Sequence, residues 1–283
     1  MLNREELDRL RILALEIRKS VLTMIMAAGG GHTGGSLSSV EILVSLYFHA
    51  LRRDSDRPEW PGRDRFVMSK GHSAEALFCT LAKAGYFPEA ELGSYGRFGS
   101  MLYGHPTRGV PGVEVPTGAL GHGLPIGVGM AIAAKRDAAP WRSFVLMGDG
   151  EQAEGSIWEA AMAGSHYRLD NLVGIVDNNG LQISGRVDEV MGLSPLAERW
   201  ASFGWTVEEL DGHDIAQLAE VLDRLPATSG APTLILAHTT KGKGVSYIEN
   251  QAAWHHKVPT RGQFDLAMAE LDAAIAAIQG GAT

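Results

Sequence analysis

The residues best suited to chemistry are Asp149 and Asn179, each standing where an apolar run gives way to glycine or polar residues. The run 143–147 breaks into Gly148-Asp149-Gly150, and the run 171–176 breaks into Asp177-Asn178-Asn179. Residues 151–168 between them are one helix worth of sequence, which makes a strand–helix–strand unit. Such crossovers are nearly always right-handed, so both strands point the same way and their ends open on one edge of a sheet. Asp149 and Asn179 then meet and offer hard oxygen ligands to Mg²⁺ or Ca²⁺. The Leu181 carbonyl is a third candidate ligand, because Gly180 lets the chain fold back. Gly148 and Gly150 let the backbone approach what the ion carries, and the following helix start points N–H groups at it. The expected ligand is a metal-bound diphosphate. Gly-Asp-Gly or Asn-Asn-Gly alone is a commonplace turn; the pair at consecutive strand ends carries the expectation.

Histidines are the second signal. Five of the ten follow a glycine, namely His32, His72, His105, His122 and His213, and His255-His256 lies late in the chain. Imidazoles on glycine-rich loops can donate to phosphate oxygens or move protons near neutral pH. His49, His166 and His213 read instead as surface or capping residues. Zinc is disfavoured, because no histidine pair has helical i,i+4 spacing and cysteine ligands are lacking. Lys241 and Lys243 could face a polyanion or be solvated. Glu154 and Glu159 sit at the start of the helix after Gly150, where the helix dipole stabilises carboxylates. No dinucleotide fingerprint or phosphate-binding Gly-Lys-Ser/Thr loop is in register.

The elements that must position these residues follow from the rest of the chain. Helices are expected near 5–28, 39–51, 73–84, 124–136, 195–203, 215–225 and 263–278, and further strands near 65–69, 206–210 and 233–237. Residues 93–117 lack apolar periodicity and read as a long loop of the kind that is usually functional. Helices alternating with short apolar strands predict an α/β fold, a doubly wound, mostly parallel sheet with helices on both faces. A single domain over 1–283 is the simplest organisation. The 283 residues carry a net charge of −8, which argues against nucleic acid or an anionic membrane as the main partner. One cysteine, Cys79, fits a reducing cytosol. The amphipathic start is neither a secretory signal nor a membrane span, so a soluble cytoplasmic protein is expected.

Several ordered motifs then converge. Gly148-Asp149-Gly150 with Asn178-Asn179 is similar to the thiamine diphosphate motif. With Gly31-His32-Thr33-Gly34-Gly35-Ser36, Ser69-Lys70-Gly71-His72, Gly104-His105-Pro106, the run 117–123, the run 239–244 and Trp254-His255, the chain resembles the N-terminal half of transketolase over nearly its whole length. The resemblance implies the diphosphate-binding domain of the thiamine diphosphate fold, with Asp149, Asn179 and the Leu181 carbonyl holding the ion. It implies that His72, Gly150, Asn179 and His255 contact the diphosphate, with Gly148, Glu154 and Lys241 completing the cofactor-binding set. Gly118 and Leu120 would lie against the cofactor rings. His32, His105 and His255 would face a sugar phosphate substrate, polarising its carbonyl and handling hydroxyl protons. Glu154 and Glu159 would join a carboxylate cluster linking paired active sites.

Two departures stand out. His256 follows His255 where the family often has glycine, and His122 replaces a glutamine, adding a titratable group expected near the cofactor. The chain also ends where a full-length transketolase would continue into its pyrimidine-binding domain. That domain supplies the glutamate that activates the cofactor. The resemblance therefore implies a split enzyme, in which a C-terminal transketolase subunit completes the site in an α₂β₂ assembly. Subunits of deoxyxylulose phosphate synthase or 2-oxoacid dehydrogenases, a non-catalytic cofactor-binding subunit, and a metal-dependent phosphohydrolase are the competing readings.

Overall fold

Apolar side chains on both faces of every inner strand make a parallel sheet covered by helices on each side. The computed structural model describes residues 2–281, so residues 1, 282 and 283 of the expected 1–283 domain lie outside the described residues. Five strands, β1 (Arg65–Met68), β2 (Ser143–Gly148), β3 (Leu172–Asn178), β6 (Thr206–Asp211) and β7 (Thr233–His238), pair in the order β1-β2-β3-β7-β6. All four pairings are parallel, and the expected α/β class is the one found. A small antiparallel pair, β4 (Leu181–Gln182) with β5 (Gly185–Arg186), lies apart from this sheet.

Along β2 the side chains alternate between two cores. Phe144 and Leu146 join the cluster that contains helices α1 (Arg4–Ala28), α3 (Val40–Ser45), α4 (Ala74–Lys83) and α9 (Ile215–Asp223). Val145 and Met147 face the cluster formed with α5 (Gly123–Arg136), α6 (Gly155–His166) and α8 (Leu196–Ser202). Each large apolar side chain removed from water contributes about 1.5–3 kcal/mol, so this two-sided burial holds the strand ends in place. The flanking helices are capped locally. Asn3 and Glu6 form a capping box at α1, which ends on left-handed Gly29. Thr260 and Gln263 cap α10 (Arg261–Gly280) in the same way.

The local readings need four corrections. The glycine-rich segment after His32 is a short helix, α2 (Thr33–Ser38), rather than a loop. The helix expected over 39–51 is α3 followed by a wider turn over Leu46–Ala50, closed by Leu51 N–H donating to the Leu46 carbonyl at 2.8 Å. The helix expected from 151 begins at Gly155, because a tight turn over Gly150–Ala153 precedes it and Glu154 takes an extended conformation. The β4–β5 hairpin and the single turn α7 (Val187–Met191) fall in a segment too short and polar to show periodicity.

Candidate functional site

Register brings the motif residues together. Gly148 pairs opposite Asp177, and Asn178 opposite His238, so the segments leaving β2, β3 and β7 emerge side by side. The chain after β3 continues to α8 on one face of the sheet, whereas the chain after β7 continues to α10 on the other. That reversal opens a crevice between β3 and β7, the place where open α/β sheets bind ligands. A cavity of about 510 Å³ lies at this edge of the sheet, walled by the segments that follow β1, β2, β3 and β7.

The residues expected to hold ion, cofactor and substrate all line it. Gly148, Asp149, Asn179 and Leu181 contribute from the β2 and β3 ends, Gly150 and Glu154 from the segment between β2 and α6, and Gly118 and Leu120 from the loop before α5. His32, His72, His105, His255 and Lys241 close the remaining walls. Gly118 is required by geometry: its φ is +137°, and a Cβ there would lie 2.5 Å from the His105 ring.

The oxygen donors are held by backbone amides. Gly150 N–H donates to Asp149 Oδ1 at 2.7 Å, and Gly180 N–H donates to its Oδ2. Burial and then the charge of Asp177 push the Asp149 carboxyl up to about 6. A bound cation would reverse that preference. Leu181 N–H donates to Asn179 Oδ1 at 3.1 Å. The Leu181 carbonyl accepts from the Lys241 ammonium at 3.1 Å, so an ion using this oxygen shares or displaces that contact. Burial, then repulsion from Lys70, brings Lys241 down to about 8. Among the described residues no cluster of three or more His, Cys, Asp or Glu side chains is placed to hold a metal.

The histidines form one group. The His32 ring lies 5.4 Å from His72, 6.0 Å from His105, 5.5 Å from His255 and 4.7 Å from His256. His72 and His255 stack at 5.2 Å. Burial is the first cause lowering three of them, to about 4 for His32, about 2 for His72 and about 3 for His255. Neighbouring imidazoles and the two lysines add to it. These rings are neutral at pH 7. Lys241 Nζ donates to His255 Nδ1 at 3.0 Å, which leaves the His255 proton on Nε2 as a donor. His32 Nδ1 is buried without a partner, an unmet bond that a polar ligand would satisfy.

Some expectations change. His122 is exposed, outside the cavity wall, and its Nδ1 lies 3.1 Å from the Leu120 carbonyl; the departure at this position adds no titratable group to the cavity. His213 is no surface residue. Its Nε2 accepts from Thr240 N–H at 2.8 Å and its Nδ1 faces Glu41 at 2.9 Å, which braces the loop carrying Lys241. Glu154 and Glu159 are exposed, as a partner-facing role would require.

Sequence reasoning missed the supporting groups. Lys70 and Asp177 form a buried ion pair, with Lys70 also donating to the Gly35 carbonyl at 2.9 Å. Asp177 further accepts from the Ser38 hydroxyl at 2.6 Å and from Thr239. Buried Glu75 accepts from His32 N–H, Tyr95 and Ser36, each at 2.8 Å. An acid ending a strand or beginning a helix gives no local sign of such partners; their adjacency exists only in the fold.

The family described as "Transketolase, thiamine diphosphate binding domain" matches residues 8–263. The chain is 50% identical to an apulose-4-phosphate transketolase subunit of Phocaeicola vulgatus, over 94% of this chain and 95% of that one. It is 42% identical to 6-deoxy-6-sulfo-D-fructose transketolase subunit SqwG of Clostridium sp., over 90% and 94% respectively. The transketolase structure from Leishmania mexicana superposes with a TM-score of 0.84 at 28% identity, covering 96% of this chain. The chain spans 46% of the length of that structure's chain.

Proposed function

The chain belongs to the transketolase family, and from that premise we propose that it is the thiamine diphosphate-binding N-terminal subunit of a split transketolase. It would transfer a two-carbon ketol unit from a ketose phosphate to an aldose phosphate. The relatives named as subunits match 90–94% of it, and their names support a partner chain, which in this reading carries the pyrimidine-binding domain in an α₂β₂ assembly. In this reading the described chain is the diphosphate-binding domain. Among the described residues no helix is long and apolar enough to cross a membrane, and a cytoplasmic role in carbohydrate metabolism fits.

The cavity suits the cofactor in three respects. It presents hard oxygens beside Gly150, buried cations at Lys70 and Lys241, and an unpartnered His32 Nδ1. Asp149, Asn179 and the Leu181 carbonyl would hold Mg²⁺ (or Ca²⁺), and His72, Lys241 and His255 would steady the diphosphate. Gly118 and Leu120 would wall the rings, with Gly148 and Glu154 completing that lining. The bound cofactor supplies the carbon nucleophile and electron sink for C–C cleavage and formation. The protein's own share is positioning and proton handling. His32, His105 and His255 stand where substrate oxygens would lie; the neutral His255 ring can donate from Nε2 to a carbonyl at pH 7, and the unpartnered His32 Nδ1 is open to a substrate oxygen. Glu154 and Glu159 would meet carboxylates across a subunit boundary.

The observation that carries this reading is the convergence of thirteen motif positions on one cavity at the carboxyl edge of the parallel sheet. The test is co-expression with the candidate partner, followed by ketol transfer assays over a panel of ketose phosphates that includes apulose 4-phosphate. Activity is expected only with both chains and with thiamine diphosphate and Mg²⁺. Full transfer by this chain alone would refute the split site, and CO₂ release from pyruvate in its place would refute the transketolase assignment.

A further inference from the structure

One buried carboxylate ties together two parts of the cavity that face opposite ends of the proposed ligand. Glu151 is only 2% exposed and lies in the turn between Asp149 and α6. Its Oε1 accepts from Gly121 N–H at 2.9 Å and from the Ser69 hydroxyl, and its Oε2 accepts from Gly148 N–H at 3.0 Å. Ser69 Oγ in turn accepts from Gly123 N–H at 3.2 Å. Gly121 and Gly123 continue the loop that carries Gly118 and Leu120, and Gly148 immediately precedes Asp149. We infer that Glu151 is a positioning residue, its two carboxylate oxygens setting the spacing between the ring-facing loop 118–123 and the ion-holding turn 148–150.

The chemistry requires an acceptor on both oxygens. An ionised carboxylate accepts at each and donates at neither, so it can take two backbone N–H groups and a hydroxyl at once. A glutamine of the same shape would turn an NH₂ toward one of those donors. Burial raises the Glu151 carboxyl above the ordinary glutamate value, and the bonds from Ser69, Gly121 and Gly148 limit that rise. Space is tight as well: a Cβ on Gly121 would lie 2.6 Å from Glu154, and one on Gly123 would lie 2.3 Å from Ser69 Oγ. The loop therefore has little room to shift without changing its distance from the turn. Glu151 borders the cavity, but both of its carboxylate oxygens are engaged by Ser69, Gly121 and Gly148, so it acts through the two loops.

The inference rests on the cavity being the thiamine diphosphate site, and two probes separate the claims. Mg²⁺-pyrophosphate engages the ion and diphosphate end alone, whereas Mg²⁺-thiamine diphosphate engages both ends. Both affinities are measured by calorimetry on the full chain with its partner subunit present, for wild type, Glu151→Gln, Ser69→Ala and the double variant. Losing a hydrogen bond to a charged acceptor corresponds to about a tenfold fall in affinity. Glu151→Gln is expected to lose roughly that factor for thiamine diphosphate, with a smaller loss for pyrophosphate, so the ratio of the two affinities contracts. Ser69→Ala is expected to contract the ratio less, and the double variant no more than Glu151→Gln alone, because both act through one linkage. A purely structural role would lower unfolding stability while leaving the ratio at its wild-type value, which overturns the inference. Should Glu151→Gln fail to fold, Ser69→Ala with an unchanged ratio overturns it equally. Wild type that binds neither probe would sink the cofactor assignment itself, a distinguishable failure.

Discussion

Replacing Lys70 by methionine isolates the buried ion pair beneath the site. Lys70 and Asp177 are 1% and 0% exposed, so neither charge has water to fall back on. Without the ammonium, Asp177 keeps only the Ser38 and Thr239 hydroxyls, and the Gly35 carbonyl loses its one charged donor while the Ser39 hydroxyl stays within reach at 3.1 Å. Removing one partner of such a pair costs about 3–5 kcal/mol, because the remaining charge is stranded. Replacing both, as in Lys70→Met with Asp177→Asn, removes the stranded charge and should restore part of that loss. The pH dependence gives a second handle. Burial pushes the Asp177 carboxyl up, yet the Lys70 charge and its hydrogen bonds outweigh this and hold it below the usual range. A depressed folded value contributes stability that is present above the ordinary aspartate range and is lost as pH falls through the folded value. In Lys70→Met that cation is gone, burial prevails, and the carboxyl moves above the usual range. The variant's deficit against wild type should therefore narrow from pH 7 to pH 5, as protonation neutralises the stranded group. Urea unfolding of both chains at the two pH values measures it. A deficit under about 1 kcal/mol at pH 7, the scale of an exposed pair, would show that the pair is solvated and the reasoning wrong.

Asp149→Asn should abolish Mg²⁺-dependent cofactor uptake in a titration, and undiminished affinity would remove Asp149 from the ion site. The same variant tests the sign of its titration. A carboxyl raised to about 6 in the metal-free fold stabilises it below the ordinary aspartate range and loses that contribution as pH rises through 6, so the metal-free variant should gain on wild type between pH 5 and pH 8 in urea melts. His256→Gly removes the second-largest influence lowering His32, after burial, and the His32 titration followed by NMR should move upward. An unmoved His32 would mean that the two rings, 4.7 Å apart here, are not electrostatically coupled.

What the sequence determined by itself was everything written in local pattern. The strands of the motif unit, their parallel sense and most of the helices around them follow from apolar runs, glycine turns and right-handed crossover. Asp149 and Asn179 were legible because strand ends announce themselves, and the other cavity positions because their ordered motifs resemble one family. Only the tertiary structure decided which polar groups support them. Lys70 finds Asp177 across 107 residues, and Glu151 finds Ser69 across 82, contacts for which neither residue carries a local mark. It also decided that His122 turns outward while His213 turns in, since a histidine's direction depends on which loop packs against it. The physical reason is common to all of these. Backbone geometry is set by neighbours in the chain, whereas desolvation and charge pairing are set by neighbours in space, and those exist only once the two faces of the sheet have been buried.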